Sequence, residues 1–203
     1  MILKRRVQVS IIYQCFLKRL LDIIISLILI ILLILPCLFI GFAVLITSGK
    51  PILFSQKRVG KNNQLFMIYK FRTMKQDAPH ELATSKIKMA NKYMTPLGMF
   101  LRKTSIDELP QLLNVLKGDM SLVGPRPLIP SETKINTQRY NLGIYNILPG
   151  ITGLAQVNGR DAVDDEKKLY YDLFYLKNMN FKFDCYIVFK TFITVLKREN
   201  IKD

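Results

Sequence analysis

Asp107 and Glu108 are neighbouring carboxylates, with Arg102 a short segment upstream and Arg126 downstream, locked between Pro125 and Pro127. An Asp-Glu pair at a helix start is common and structural in most proteins, where the acid caps free N–H groups and suits the dipole. The arginines change its meaning. Two carboxylates among fixed cations suit an Mg²⁺–diphosphate substrate, in which the metal neutralises phosphate charge while one carboxylate attacks phosphorus. Asp107 and Glu108 are then also the candidate metal ligands. The prolines push Arg126 towards an extended, stiff conformation, useful for gripping phosphate; a rigid turn with an exposed arginine fits the same pattern. Lys70 and Arg72 share one strand face, facing either an anion or solvent.

The elements that carry these residues are legible in outline. Ile52–Arg58 and Gln64–Thr73 are β-rich runs joined by Val59-Gly60-Lys61-Asn62-Asn63, a β-hairpin pattern whose second strand puts Phe66, Ile68, Lys70 and Arg72 on one face. Gln76 to Lys92 reads as a loop with some helix, and Pro96–Lys103 as a short helix. Leu109, Leu112, Leu113 and Leu116 recur at helical spacing before Gly118, which predicts a helix over 107–117 with Asp107 as N-cap, Pro110 in its first turn and Gly118 closing it. A capping box starting at Ser105 is the competing register. Asp161, Asp164 and Asp165 read as the start of a helix running through Leu176 rather than as a metal loop. Lys182–Lys197 interleaves Phe183, Tyr186, Ile187, Ile193 and Leu196 with basic residues, an amphipathic helix for a protein core or an anionic interface.

Ahead of these elements, Ile23 to Ile46 carries no charge. As a helix it reaches roughly 36 Å, enough for a bilayer core. It is too long for a signal peptide, and no small-x-small cleavage site follows. Pro36 interrupts it, and both flanks are basic: Lys4, Arg5, Arg6, Lys18 and Arg19 before, Lys50, Lys57, Arg58 and Lys61 after. A spanning helix favours cations on one side, so these flanks favour a helix that enters, breaks at Pro36 and returns to the same face. That divides the chain into a membrane-embedded segment, 1–49, and a catalytic domain, 50–203.

With 203 residues, half of them hydrophobic, the chain has room for one modest domain and one membrane element. Thirty Lys and Arg against 15 acids give a charge of +15, which attracts phosphate-bearing substrates, anionic lipids or nucleic acid. No helix-turn-helix, zinc-finger or RNA-binding aromatic motif accompanies the charge, so nucleic acid is not expected as a partner. His80 is the one histidine, which excludes histidine triads and zinc sites; Cys15, Cys37 and Cys185 form no CxxC pair. A sugar transferase forming a glycosidic bond is disfavoured by the absence of Asp-x-Asp. The intact dyad and arginines speak against a non-catalytic scaffold.

Ordered blocks along most of the chain carry a resemblance. They include Lys18-Arg19-Leu20-Leu21-Asp22, Phe54-Ser55-Gln56-Lys57-Arg58-Val59-Gly60, Tyr69-Lys70-Phe71-Arg72-Thr73-Met74, and Leu101-Arg102-Lys103-Thr104-Ser105-Ile106-Asp107-Glu108-Leu109-Pro110-Gln111. Asn114 to Ser121, Val123-Gly124-Pro125-Arg126-Pro127, Pro149-Gly150-Ile151-Thr152-Gly153 and Gln156-Val157-Asn158-Gly159-Arg160 follow. Together they resemble the monotopic bacterial sugar transferases, the polyprenol-phosphate phosphoglycosyl transferases. The resemblance implies an α+β, mostly helical fold with a re-entrant membrane helix, a β-hairpin and amphipathic interface helices. It also implies a ping-pong reaction at the cytoplasmic face of the bacterial cell membrane. Asp107 attacks the β-phosphorus of a UDP-sugar, expels UMP and holds the sugar-phosphate; undecaprenyl phosphate then takes it, starting synthesis of an exopolysaccharide, capsule, O-antigen or similar glycoconjugate. Glu108 assists with Mg²⁺ and protons, while Lys70, Arg102, Arg126 and Arg160 hold phosphates. Galactose, glucose and N-acetylated amino sugars fit these residues equally. Anionic lipids, a second copy of the chain and downstream glycosyltransferases are the further partners such a reaction implies. The chain departs from many relatives at Leu35-Pro36, where they carry Ser-Pro, so the bend rests on Pro36.

Overall fold

A computed structural model describes residues 13–75, 78, 93–159 and 163–197. A single π turn, Tyr13–Leu17, leads into helix α1, Lys18–Ser48. Strands β1, Leu53–Val59, and β2, Leu65–Phe71, pair antiparallel with Leu53 opposite Phe71 and Val59 opposite Leu65. Helix α2, Pro96–Thr104, precedes a 3-10 turn at Ile106–Glu108 and helix α3, Gln111–Lys117. Strand β3, Ser121–Val123, helix α4, Thr133–Asn141, strand β4, Gly150–Thr152, and the short helix α5, Leu154–Val157, follow. Helices α6, Asp165–Asn178, and α7, Phe181–Lys197, complete the described chain. The fold is α+β and mostly helical, as expected, and the hairpin is where its alternating residues put it.

α1 is the helix among the described residues that is long and apolar enough to cross a membrane. Its 31 residues correspond to roughly 46 Å of helix. The sequence suggested a break at Pro36. Helical structure continues across Pro36, where the proline removes a single backbone donor. Both ends dock on the same globular body. At one end Lys18 Nζ pairs with Asp184 at 2.5 Å, Arg19 donates to the carbonyls of Val115 and Leu116 at 2.6 and 3.0 Å, and Asp22 accepts from Leu122 N at 3.2 Å. Arg19 thereby adds a donor to carbonyls at the end of α3, where helical partners run out. At the other end Val44 is buried with Phe71 and Leu101, and Gly41 lies against Ile52. Between them Ile31, Leu32, Leu35, Leu38 and Phe39 are exposed.

The globular body packs in several small clusters. Val123, Leu154, Tyr175 and Ile187 bring β3, α5, α6 and α7 together. Ile68, Val115 and Met120 join the hairpin to α3. β3 and β4 run parallel, Ser121 opposite Gly150 and Val123 opposite Thr152. Their approach needs glycine: a Cβ on Gly150 would lie 2.1 Å from Gly124 N. The two most deeply buried charged pairs among the described residues are Lys18–Asp184, where α1 docks, and Arg139–Asp172, each at 2.5 Å.

Two helix starts test the cap expectations. Asp164 caps α6, its Oδ1 accepting from Lys167 N at 2.8 Å, so Asp164 and Asp165 open a helix; Asp161 lies outside the described residues, as does Gln76 to Lys92 apart from Ala78. Asp107, by contrast, is not the cap of α3. Ser105 adopts the left-handed conformation at φ 57° and ends α2; Ile106–Glu108 then forms its own 3-10 turn, and α3 begins only after Pro110. Proline has no N–H to offer a cap, so the helix starts behind it. Gly118 closes α3 as expected, at φ 94° and donating to Asn114 and Val115 carbonyls.

Candidate active site

The 3-10 turn presents Asp107 and Glu108 between the hairpin and α2. Its apolar neighbours Ile106 and Leu109 pack on the cluster of Val44, Phe71 and Leu101, which Cys37 and Ile40 of α1 also join. The turn that carries the dyad therefore shares an apolar cluster with the helix just beyond Pro36. Thr95 caps α2 by accepting from Gly98 N at 3.0 Å, and α2 ends in Arg102 and Lys103 beside the turn.

β2 delivers Lys70 from its inner face, and Lys70 Nζ lies 2.6 Å from Glu108 Oε1. Arg126, in the Pro125–Pro127 segment after β3, places Nη1 3.3 Å from the same oxygen. Burial alone would raise the pKa of Glu108, but Lys70 and Arg126 outweigh it and hold the carboxyl down at about 2. Asp107 is 5% exposed. Burial pushes it up to about 6, opposed by Lys70 and helped by the Glu108 charge; Arg102 and Arg126 pull it down. The two neighbours thus have different chemistry: Glu108 is a fixed anion tied to cations, while Asp107 is a poorly solvated carboxylate whose charge is only partly compensated.

Lys70, Arg126 and Glu108 are brought together directly, with Asp107 adjacent. Arg102 acts on Asp107 through its charge, and its Nη1 lies 3.8 Å from Met94 Sδ. Arg160 lies outside the described residues. Arg72 points away to the Lys50 carbonyl at 3.3 Å, which shows that only part of the predicted strand face meets the site.

Three residues not singled out from the sequence complete the surroundings. Arg58 of β1 and Gln111 of α3 line a small cleft with Ile68, Lys70, Arg126 and Pro127. Gln111 had a signal: it is polar on the helix face that also buries Asn114 and Val115. Arg139, 2% exposed, donates to the Arg126 carbonyl at 2.7 Å and to Asp172 at 2.5 Å. Nothing local marked Arg139, because its partners lie 13 and 33 residues away. A metal could be held by the two dyad carboxylates; magnesium commonly uses one or two protein carboxylates plus phosphate oxygens and water. Among the described residues no larger metal-ligand cluster occurs.

A family model described as bacterial sugar transferase matches residues 13–198. The chain belongs to that family. It is 41% identical over 201 residues, 91% of its own length, to an undecaprenyl-phosphate galactose phosphotransferase of Salmonella typhimurium, of which it covers 41%. A sugar transferase of Bacillus subtilis, EpsL, is 44% identical over 156 residues, 76% of this chain and 74% of that protein. A UDP-glucose:undecaprenyl-phosphate glucose-1-phosphate transferase of Klebsiella pneumoniae is 40% identical over 186 residues, covering 86% of this chain and 39% of the relative. This family member thus spans about two fifths of the Salmonella and Klebsiella proteins. The match takes in the apolar helix, the hairpin, the dyad and the Pro-Arg-Pro segment alike.

Proposed function

We propose that the chain transfers a sugar-1-phosphate from a UDP-sugar to undecaprenyl phosphate through a covalent intermediate on Asp107. The observation that carries this reading is the buried Asp107 next to Glu108, with Lys70 and Arg126 fixed on Glu108, on a turn that shares an apolar cluster with the long apolar helix. Relatives named for undecaprenyl-phosphate galactose and glucose transfer support the substrate class.

In the first step an Asp107 oxygen forms a bond to the β-phosphorus and the bond to the α-phosphate oxygen breaks, releasing UMP. A carboxylate that burial has stripped of water is a stronger nucleophile than a solvated one. In the second step an oxygen of the lipid phosphate bonds to the same phosphorus and Asp107 leaves with its electron pair. A phosphate monoester loses its second proton near pH 6, so the acceptor arrives largely ionised and needs little help from a base. Glu108, held as an anion, anchors Lys70 and Arg126, whose positive charge favours phosphate oxygens beside the dyad. The dyad carboxylates would hold Mg²⁺, which neutralises diphosphate charge when bound.

The arrangement of α1 supports a re-entrant placement. Lys18, Arg19 and Asp22 at one end, and Val44 and Ser48 at the other, all rest on the one catalytic body. A body on one side of a bilayer can hold both ends only if both emerge there. The exposed apolar face of α7, with Val188, Phe189, Phe192 and Leu196, suits the adjoining lipid interface. The membrane is then the bacterial cell membrane, with the body on the cytoplasmic face, where UDP-sugars are made.

The test is donor without acceptor. Incubating the protein with UDP-galactose or UDP-glucose is expected to add one sugar-phosphate mass to the peptide containing Asp107, discharged by undecaprenyl phosphate. Asp107→Asn is expected to abolish both the adduct and UMP release while remaining in membranes; normal turnover by that variant overturns the assignment.

A further inference from the structure

The cleft beside the dyad contains donors that the reaction above has not used. Lys70 and Arg126 lining it are engaged with Glu108. Arg58 and Gln111 are different. Gln111 is 2% exposed, yet its Nε2 has no hydrogen-bond partner among the described residues. Arg58 donates from its terminal nitrogens to Pro127 O at 3.2 Å and to Gln56 Oε1 at 2.7 Å, but its buried Nε is unpartnered too.

An unsatisfied buried donor costs about 1–3 kcal/mol, and natural folds leave few of them. Both donors belong to residues lining one cleft, and acceptor oxygens brought into it by a ligand would satisfy them. The charge balance names its sign. Arg58, Lys70 and Arg126 all border the cleft, and burial, aided by the nearby Arg126 charge, pulls Arg58 down to about 10. Such crowding of cations favours an entering anion. Arginine's Nε and terminal N–H groups match the oxygens of phosphate in a side-on pair.

We propose that Arg58 and Gln111 form an oxyanion subsite for a substrate phosphate other than the one Asp107 attacks. Asp107 does not line this cleft, whereas the cations around Glu108 do. The assignment rests on the proposed transfer reaction for its substrates. Two phosphates have the required chemistry: the α-phosphate that leaves with UMP, and the phosphate of the acceptor lipid.

The test uses the full chain in detergent with Arg58→Lys, Gln111→Leu and the near-isosteric Gln111→Glu. One arm measures the UMP and inorganic-phosphate concentrations that raise the melting temperature. The other measures KM for undecaprenyl phosphate with a donor that releases UMP. Loss of charge-assisted hydrogen bonds is expected to weaken one of these by about ten- to hundredfold, with Gln111→Glu at least as severe as Gln111→Leu because it adds a repelling charge. Weakened UMP binding assigns the subsite to the nucleotide, and a raised lipid KM assigns it to the acceptor. If Gln111→Glu keeps the wild-type melting temperature and neither quantity moves in any variant, the subsite does not exist. UMP binding needs no reaction at Asp107, so Asp107→Asn should retain it. Failure of the covalent mechanism therefore stays distinct from failure of the subsite.

Discussion

Asp107 and Glu108 are adjacent in the chain, yet their carboxyls are driven in opposite directions: Asp107 up to about 6, Glu108 down to about 2. The difference comes from partners. Lys70 and Arg126 both bond one Glu108 oxygen, while Asp107 is left buried without an equivalent pair. A carboxyl whose folded pKa is raised binds its proton more tightly in the folded state. Its ionisation therefore costs stability, and that cost grows as pH rises from the ordinary carboxylate range through about 6.

Asp107→Asn is accordingly expected to stabilise the metal-free protein at pH 8, by up to roughly 3 kcal/mol, and to change little at pH 4. Denaturation of both proteins in the presence of a chelator at the two pH values checks this. A stabilisation equal at both pH values means that the strain is not electrostatic.

Arg139 is the support behind Arg126. It holds the Arg126 carbonyl at 2.7 Å and is itself neutralised by Asp172. Asp172→Asn leaves a buried guanidinium unpaired and is expected to cost about 3–5 kcal/mol of stability. Arg139→Lys keeps the charge but loses the fork that reaches Arg126 and Asp172 together. It is expected to raise the KM for UDP-sugar more than it lowers kcat, as a positioning residue should. A purely structural role would lower the amount of folded enzyme and leave KM where it was.

The contrast between these residues explains what the sequence could disclose. Lys70, Asp107, Glu108 and Arg126 sit in short blocks whose residue types speak for themselves, and the hairpin declares itself by alternation and a turn. The start of α3 was misplaced because Ser105 takes a positive φ, an uncommon choice for a residue with a side chain, which lets a separate 3-10 turn precede Pro110. Arg139 and Asp184 were invisible for another reason. Arg139 lies in a stretch for which the sequence suggested no element and Asp184 in a helix read as amphipathic, and only tertiary contact supplies the partner that makes the burial of each tolerable.

Asp184 is the clearest such case. Its carboxylate accepts from Tyr13, Lys18 and Tyr175 at 2.6, 2.5 and 2.7 Å, tying α7 and α6 to the start of α1. Asp184→Asn removes the countercharge of buried Lys18 and is expected to destabilise the protein by about 3 kcal/mol or more. The matching Lys18→Met change, which removes the stranded charge, should restore part of that loss in the double variant. Melting curves of the two single variants and the double variant measure the coupling. Strict additivity would show that the pair contributes nothing of its own.

The same contacts make a prediction about topology. Lys18, Arg19 and Asp22 are bound to residues 184, 115, 116 and 122, while Val44 and Ser48 contact residues 71, 101 and 95 of the same body. Carrying the start of α1 across a bilayer would break the Lys18–Asp184 pair and strip Arg19 of both carbonyls, leaving polar groups in hydrocarbon at a cost of several kcal/mol each. Keeping both ends on one face leaves those bonds intact and buries only the exposed apolar middle. An epitope inserted ahead of Tyr13 and another between Asn62 and Asn63 should therefore be accessible from the same side of membrane vesicles, and both shielded when the vesicles are inverted. Accessibility from opposite sides would mean that α1 spans the bilayer, with its first polar residues detached from the body that holds them here.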